Sequence, residues 1–185
     1  MGCDIHMFVE IRKNDKWELF KGDHFSMDAW DKDYYKKEKT SAPFEWRSYG
    51  MFAFLSGVRN GSGIKPIKEP IRILPNDASD DVKVEWTEIW DGDGHSLSCL
   101  TARELVEFDY NQDIRKEGEN FKSNTRKVLT EIVPIPSLKK EITERVLAET
   151  YFEYMGANSM FFTHVKELSE LGNLDDVRLI FWFDN

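Results

Sequence analysis

Cysteine is scarce: Cys3 and Cys99 are the only two in 185 residues. Two thiols cannot build a disulfide framework, so a packed core in a reducing, cytoplasmic setting is the expectation. Positive charge is also in short supply. Lys and Arg total 25 against 34 Asp and Glu, a formal net charge of −9. That deficit argues against nonspecific DNA or RNA binding, which relies on Lys and Arg to neutralise phosphates. Acids and bases are interleaved along the chain, so the ordered acidic rows of a DNA mimic are missing too. No apolar run approaches the ~20 residues a membrane span needs. No export signal is read at the start, and an N-myristoylation pattern would want Ser or Thr where His6 stands. A cytoplasmic protein with no nucleic-acid or membrane partner is therefore expected.

Aromatic residues, by contrast, are plentiful at 14% of the chain, with six Trp and 13 Phe. They supply enough apolar bulk for a real core and exclude a disordered chain. The length suits a single domain over residues 1–185.

The opening residues alternate with period two. Cys3, Ile5, Met7, Val9 and Ile11 share one face, and Asp4, His6, Phe8 and Glu10 share the other. This is a half-buried strand. Asn14-Asp15 then turns the chain into a second strand carrying Trp17, Leu19 and Phe20, giving a β-hairpin over 3–20. Residues 21–45 hold no period and read as a long irregular loop or insertion. Ser48 caps a helix predicted over 49–58, with Phe52, Leu55 and Val58 on its apolar side. Pro66, Pro70 and Pro75 punctuate an extended stretch in which Ile71 and Ile73 alternate with Arg72 and Leu74. Ser79 caps a further helix, with Asp80 and Asp81 in the first turn and Val82, Trp86, Ile89 and Trp90 as its stripe.

Residues 95–100 alternate again, with His95, Leu97 and Cys99 set against Ser96, Ser98 and Leu100. Thr101 to Glu104 forms a capping box that opens a helix through about Phe108. Helices are predicted over 124–131, over 138–154 with Gly156 as its end, and over 162–171. Residues 176–184 form a strand apolar on both faces in its second half, hence central in a sheet. The fold class expected is α+β: a mainly antiparallel sheet that includes the N- and C-terminal strands, with helices packed on it.

The opening Met1-Gly2-Cys3-Asp4-Ile5-His6 resembles the start of small uncharacterised proteins of bacteriophages and prophages. Tyr49 to Asn60, Trp90 to Ser96 and Val177 to Asn185 are similar to three further blocks of those proteins. The matching blocks cover about a third of the chain. The resemblance implies a phage accessory context within a host cytoplasm and brings no established activity.

Two Asp-x-His pairs carry the candidate chemistry. Asp4 and His6 lie roughly 7 Å apart between Cα atoms at ~3.3 Å rise per residue, and Asp93 and His95 repeat the spacing in mid-chain. If the pairs meet, two carboxylates and two imidazoles form a four-ligand site for a divalent transition metal such as Zn, Mn or Fe, with Cys3 or Cys99 as softer alternatives. A bound metal lowers the pKa of water to near 7 and supplies a nucleophile. The structural alternative pairs Asp4 with an arginine, lets His6 satisfy a backbone carbonyl and makes Asp93 a turn former. A metal-free acid–base site is the third possibility.

Both cysteines alternate with apolar neighbours and read first as core. Arg59 to Lys65 contains two glycines and two cations after a helix end, a pattern able to hold an anion. Arg47, Tyr49 and Ser96 are further candidate ligand contacts. His24 and His164 read as surface or structural. The function expected is metal-assisted hydrolysis of a phosphate-bearing small molecule, a nucleotide or nucleotide signal, with Asp4, His6, Asp93 and His95 as the catalytic group. The alternative is a non-catalytic phage anti-defence protein that sequesters a host signal molecule or blocks a host enzyme.

Overall fold

A computed structural model describes residues 2–90, 92–114, 150–155 and 159–185. The helices predicted over 124–131 and over most of 138–154, with the stop at Gly156, lie outside these residues. No helix among the described residues is long and apolar enough to cross a membrane.

The sheet contains strands β1 (Ile5–Lys13), β2 (Lys16–Leu19), β5 (His95–Thr101) and β6 (Val177–Phe183) in the order β2-β1-β6-β5. Every pairing is antiparallel. The α+β expectation therefore holds, with the first and last strands side by side. All seven residues of β6 are buried, which suits a strand flanked on both edges and covered on both faces.

The covering layers explain the burial pattern of β1. Ile5, Met7 and Val9 pack with Val177, Leu179, Phe181 and Phe183 in the larger core. Phe8 packs with Ile180 and Trp182 in a smaller core on the opposite face. That face is not left to water: Glu10 is fully buried there.

Helix α2 (Tyr49–Ser56) fills the larger core. The Met51 N–H donates to the Ser48 hydroxyl, and Gly57 at φ +71° ends the helix two residues before the expected Val58. Its residues from Met51 to Ser56 are all buried, more than a single stripe, as befits a helix apolar on every side. Short helices α4 (Ala102–Val106) and α5 (Tyr151–Met155) and the longer α6 (Ser159–Ser169) contribute to the same core. The Thr101–Glu104 capping box is present at the start of α4.

The smaller core is roofed by α3 (Asp80–Val84), which continues as a π-helical turn over Glu85–Ile89. The wider turn keeps Trp86 and Trp90 against the sheet but swings Ile89 to solvent, so Ile89 leaves the expected stripe. Residues 66–75 form no strand. Ile71 donates its N–H to the Leu97 carbonyl at 2.7 Å, while Ile73 is exposed.

Residues 21–45 carry more order than their aperiodic sequence implies. Strands β3 (Phe25–Ser26) and β4 (Lys39–Thr40) pair and bracket helix α1 (Ala29–Tyr35). Phe25 and Phe44 are fully buried and anchor the segment in the larger core. Helix α6 staples it. Phe44 donates its N–H to His164 Nδ1 at 2.9 Å, so Nε2 carries the proton and donates to the Ser26 carbonyl at 2.7 Å. Ser26 N–H donates to the Glu167 carboxylate, and His24 Nε2 lies 2.8 Å from the Glu167 carbonyl.

Candidate functional site

The β1–β6 pairing brings the two ends of the described chain together. Ile5 is opposite Phe183 and His6 opposite Trp182. Asp4 donates its N–H to Asp184 Oδ1 at 3.0 Å, and Asp184 returns its own N–H to the Asp4 carbonyl at 3.2 Å. The polar residues flanking α2 approach the same end of the sheet. Arg47 grips the Asp4 carboxylate through Nε at 2.7 Å and a terminal nitrogen at 2.5 Å. This hydrogen-bonded guanidinium lowers the Asp4 carboxyl below its ordinary range, and the carboxylate raises Arg47 in return. Gly2 lies against Arg47 so closely that a Cβ there would stand 2.6 Å from a guanidinium nitrogen, so a larger residue would make the Arg47 side chain shift.

Arg59 reaches in from the end of α2. It donates to Asn185 Oδ1 at 2.9 Å and to the Gly2 carbonyl at 3.4 Å, and its guanidinium lies 6.0 Å from the centre of the Tyr49 ring. Tyr49 is 43% exposed. The Cys3 thiol, beside Arg59, is fully buried, and desolvation raises its pKa. It is therefore core and not an activated nucleophile.

His6 faces the smaller core. Its ring lies 3.8 Å from that of Trp90, and Nε2 stands 3.3 Å from Asp184 Oδ2. Asp184, absent from the sequence-derived candidates, thus orients the segment through one oxygen and faces His6 through the other. No local motif marks Asp184. Only the register of β1 against β6 brings it to His6.

His95 lies elsewhere. It is opposite Phe183, one residue beyond the Trp182 that pairs with His6, so the two imidazoles project from opposite faces of the sheet. A β-bulge between His95 and Ser98, with Ser96 at φ +54°, causes this. It inserts a residue and reverses the side-chain alternation, which moves His95 from the expected Leu97–Cys99 face to the face of Ser98. The His95 ring stacks on Phe183, and Nδ1 lies 3.0 Å from the Ser96 hydroxyl. With β6 between them, the backbones of His6 and His95 are separated by two strand spacings, about 9–10 Å. In that geometry the two pairs do not lie side by side as the four-ligand expectation needs, because metal–ligand bonds near ~2 Å are too short to span opposite faces of a sheet. Asp93 is exposed in the preceding turn, and Asp4 is committed to Arg47. Cys99 belongs to the smaller core and does not approach Cys3 in the larger one. Among the described residues no group of three His, Cys, Asp or Glu side chains is arranged to hold one ion.

The glycine-containing loop after Arg59 is closed on itself. Asn60 donates to the Ile64 carbonyl at 2.6 Å and accepts the Ile64 N–H at 3.0 Å, while the Gly61 and Gly63 N–H groups go to Arg59 and Asn60 carbonyls. The Gly61, Gly63 and Ile64 N–H groups are therefore engaged within the loop and not free for the expected anion cradle. Lys65 is exposed, and its carbonyl accepts from the Tyr151 hydroxyl at 2.6 Å.

A separate cavity of about 490 Å³ lies beneath the β3–α1–β4 segment, with Asp28, Asp31, Tyr35, Glu45 and Trp46 among its walls. Sequence reasoning missed it, because residues distant in the chain are joined only by the docking of that segment on α6. No protein-family model, curated protein or solved structure matches this chain.

Proposed function

We propose that the protein binds and sequesters a phosphate-bearing small molecule, a nucleotide or nucleotide signal, without turning it over. The observation that carries this reading is the pairing of Arg59 with Tyr49. An exposed aromatic ring has a guanidinium 6.0 Å from its centre, and that guanidinium donates to two neutral oxygens and lies against the Cys3 thiol, with no carboxylate among its partners in the described residues. A base can stack on the ring while the guanidinium takes a phosphate through two parallel hydrogen bonds. Arg47 adds a second positive group nearby, shared with Asp4. Hydrolysis through Zn, Mn or Fe would require Asp4 to leave Arg47 and His95 to change faces, so sequestration is the simpler reading. In the phage setting that the resemblance implies, such a protein would lower the free level of a host signal molecule.

Calorimetric titration with linear and cyclic nucleotides, followed by chromatography of the recovered ligand, tests this. Saturable one-to-one binding of at least one nucleotide is expected, weakened about tenfold or more by Arg59→Gln and by Tyr49→Ala. The ligand should be recovered intact with or without added Zn, Mn or Fe. Absence of binding, or binding indifferent to both substitutions, sinks the proposal. Recovery of a cleaved product that depends on metal and on His6 would put hydrolysis in its place.

A further inference from the structure

The cavity beneath β3–α1–β4 differs in chemistry from the Arg59–Tyr49 site. Its volume, about 490 Å³, falls within the range of small-molecule sites. Tyr35, Trp46 and Met160 give it aromatic and apolar walls, and three carboxylates, Asp28, Asp31 and Glu45, face one lysine, Lys37. Asp28 is partly used, accepting the Asp31 N–H at 2.9 Å as the cap of α1. Glu45 accepts the Thr40 hydroxyl at 2.7 Å. Neither Asp31 nor Glu45 forms an ion pair with Lys or Arg among the described residues. Desolvation raises both carboxyls, and the nearby Asp28 adds to the effect at Asp31.

No residue of α1 is buried, and the segment is tied at its ends by the two-residue β3–β4 ladder.

We propose that this cavity binds a free organic cation, an alkyl diamine or guanidino compound. Its charged end would be held by Asp31 and Glu45 and its alkyl stem covered by Tyr35 and Trp46. A cation placed between two carboxylates that have no ion partner among the described residues gains their Coulomb attraction, and the aromatic faces add cation–π attraction. A phosphate-bearing molecule is disfavoured here by the three carboxylates, so this site stands independently of the nucleotide reading.

The test is titration of the full chain with putrescine and with agmatine at physiological salt, using 1,4-butanediol as the uncharged control. Saturable one-to-one binding is expected for at least one of the two cations. The diol should bind at least about a hundredfold more weakly, and Asp31→Asn combined with Glu45→Gln should weaken the cation about tenfold or more. Both substitutions are near-isosteric, and an unchanged melting temperature establishes that the variant is folded. Glu45→Gln alone, which keeps an acceptor for Thr40, is the second variant and should show a smaller loss. No saturable binding up to about 5 mM, equal binding of the diol, or affinity unchanged in both variants overturns the proposal.

Discussion

Asp4 and Arg47 meet in a two-point carboxylate–guanidinium contact across 43 positions of sequence. The contact ties the first residues to the approach of α2 and engages both oxygens of the Asp4 carboxylate. It also makes a pH prediction. Arg47 lowers the Asp4 carboxyl, so the contribution is complete above the ordinary carboxylate range and fades as pH falls through the lowered value. Melting temperature measured against pH should therefore fall more steeply below about pH 4 in the wild type than in Asp4→Asn. The difference should be small and should shrink further in high salt, because both side chains are about half exposed.

Glu10 and Arg178 form a buried pair with a different energetic character. Arg178 Nε donates to Glu10 Oε2 at 2.7 Å, with the side chains 7% and 0% exposed. Glu10 also accepts the Ser79 N–H at 2.6 Å, and Arg178 reaches Asp77 and lies over the Trp17 ring. Replacing Arg178 by Met strands a buried carboxylate and should cost about 3–5 kcal/mol in urea unfolding. The Glu10→Gln, Arg178→Met double variant should recover a substantial part of that loss. If the single and double variants are equally destabilised, the stranded charge is not the cause.

His164 is a neutral ring set between a backbone donor and a backbone acceptor. Burial lowers its pKa, the direction expected for a base that loses stability on charging. Its contribution is full above the ordinary imidazole value and declines as pH falls below that toward the lowered one. Protonation at Nδ1 would break the bond from the Phe44 N–H. Amide hydrogen exchange should show the 24–44 segment loosening as pH falls below about 6.5 in the wild type. His164→Gln should weaken protection of that segment and remove most of this pH dependence. An unchanged pH profile in the variant would dismiss His164 as the titrating group.

Gly94 is a packing requirement. A Cβ at this position would stand 2.7 Å from Trp86 Cζ3 and 3.2 Å from Trp182 Cδ1. Gly94→Ala must displace an indole in the smaller core and should cost about 1–3 kcal/mol, seen as a melting temperature lower by about 2–10 °C. Gly61→Ala, where nothing lies within 4 Å of the added carbon, should leave stability nearly unchanged by comparison.

The strands and caps were legible because their signals are local. Alternation marked Ile5, Met7 and Val9 for one core, Ser48 and Ser79 marked helix starts, and the doubly apolar second half of β6 marked the centre of the sheet. The candidate site was only partly legible. Arg47, Tyr49 and Arg59 each stand out as single residues, but nothing local shows that they meet Gly2, Asp184 and Asn185. The 21–45 segment lacked periodicity because its elements are too short to repeat a pattern. Its order comes from Phe25, Phe44, His164 and Glu167 acting across more than a hundred residues.

By itself, the sequence determined an α+β chain whose first and last strands belong to one mainly antiparallel sheet, since side-chain alternation and capping depend on neighbours a few positions apart. The tertiary structure alone decided which polar groups converge. One inserted residue between His95 and Ser98 reverses the alternation of β5 and sends His95 away from His6, because a pleated strand presents successive side chains to opposite faces.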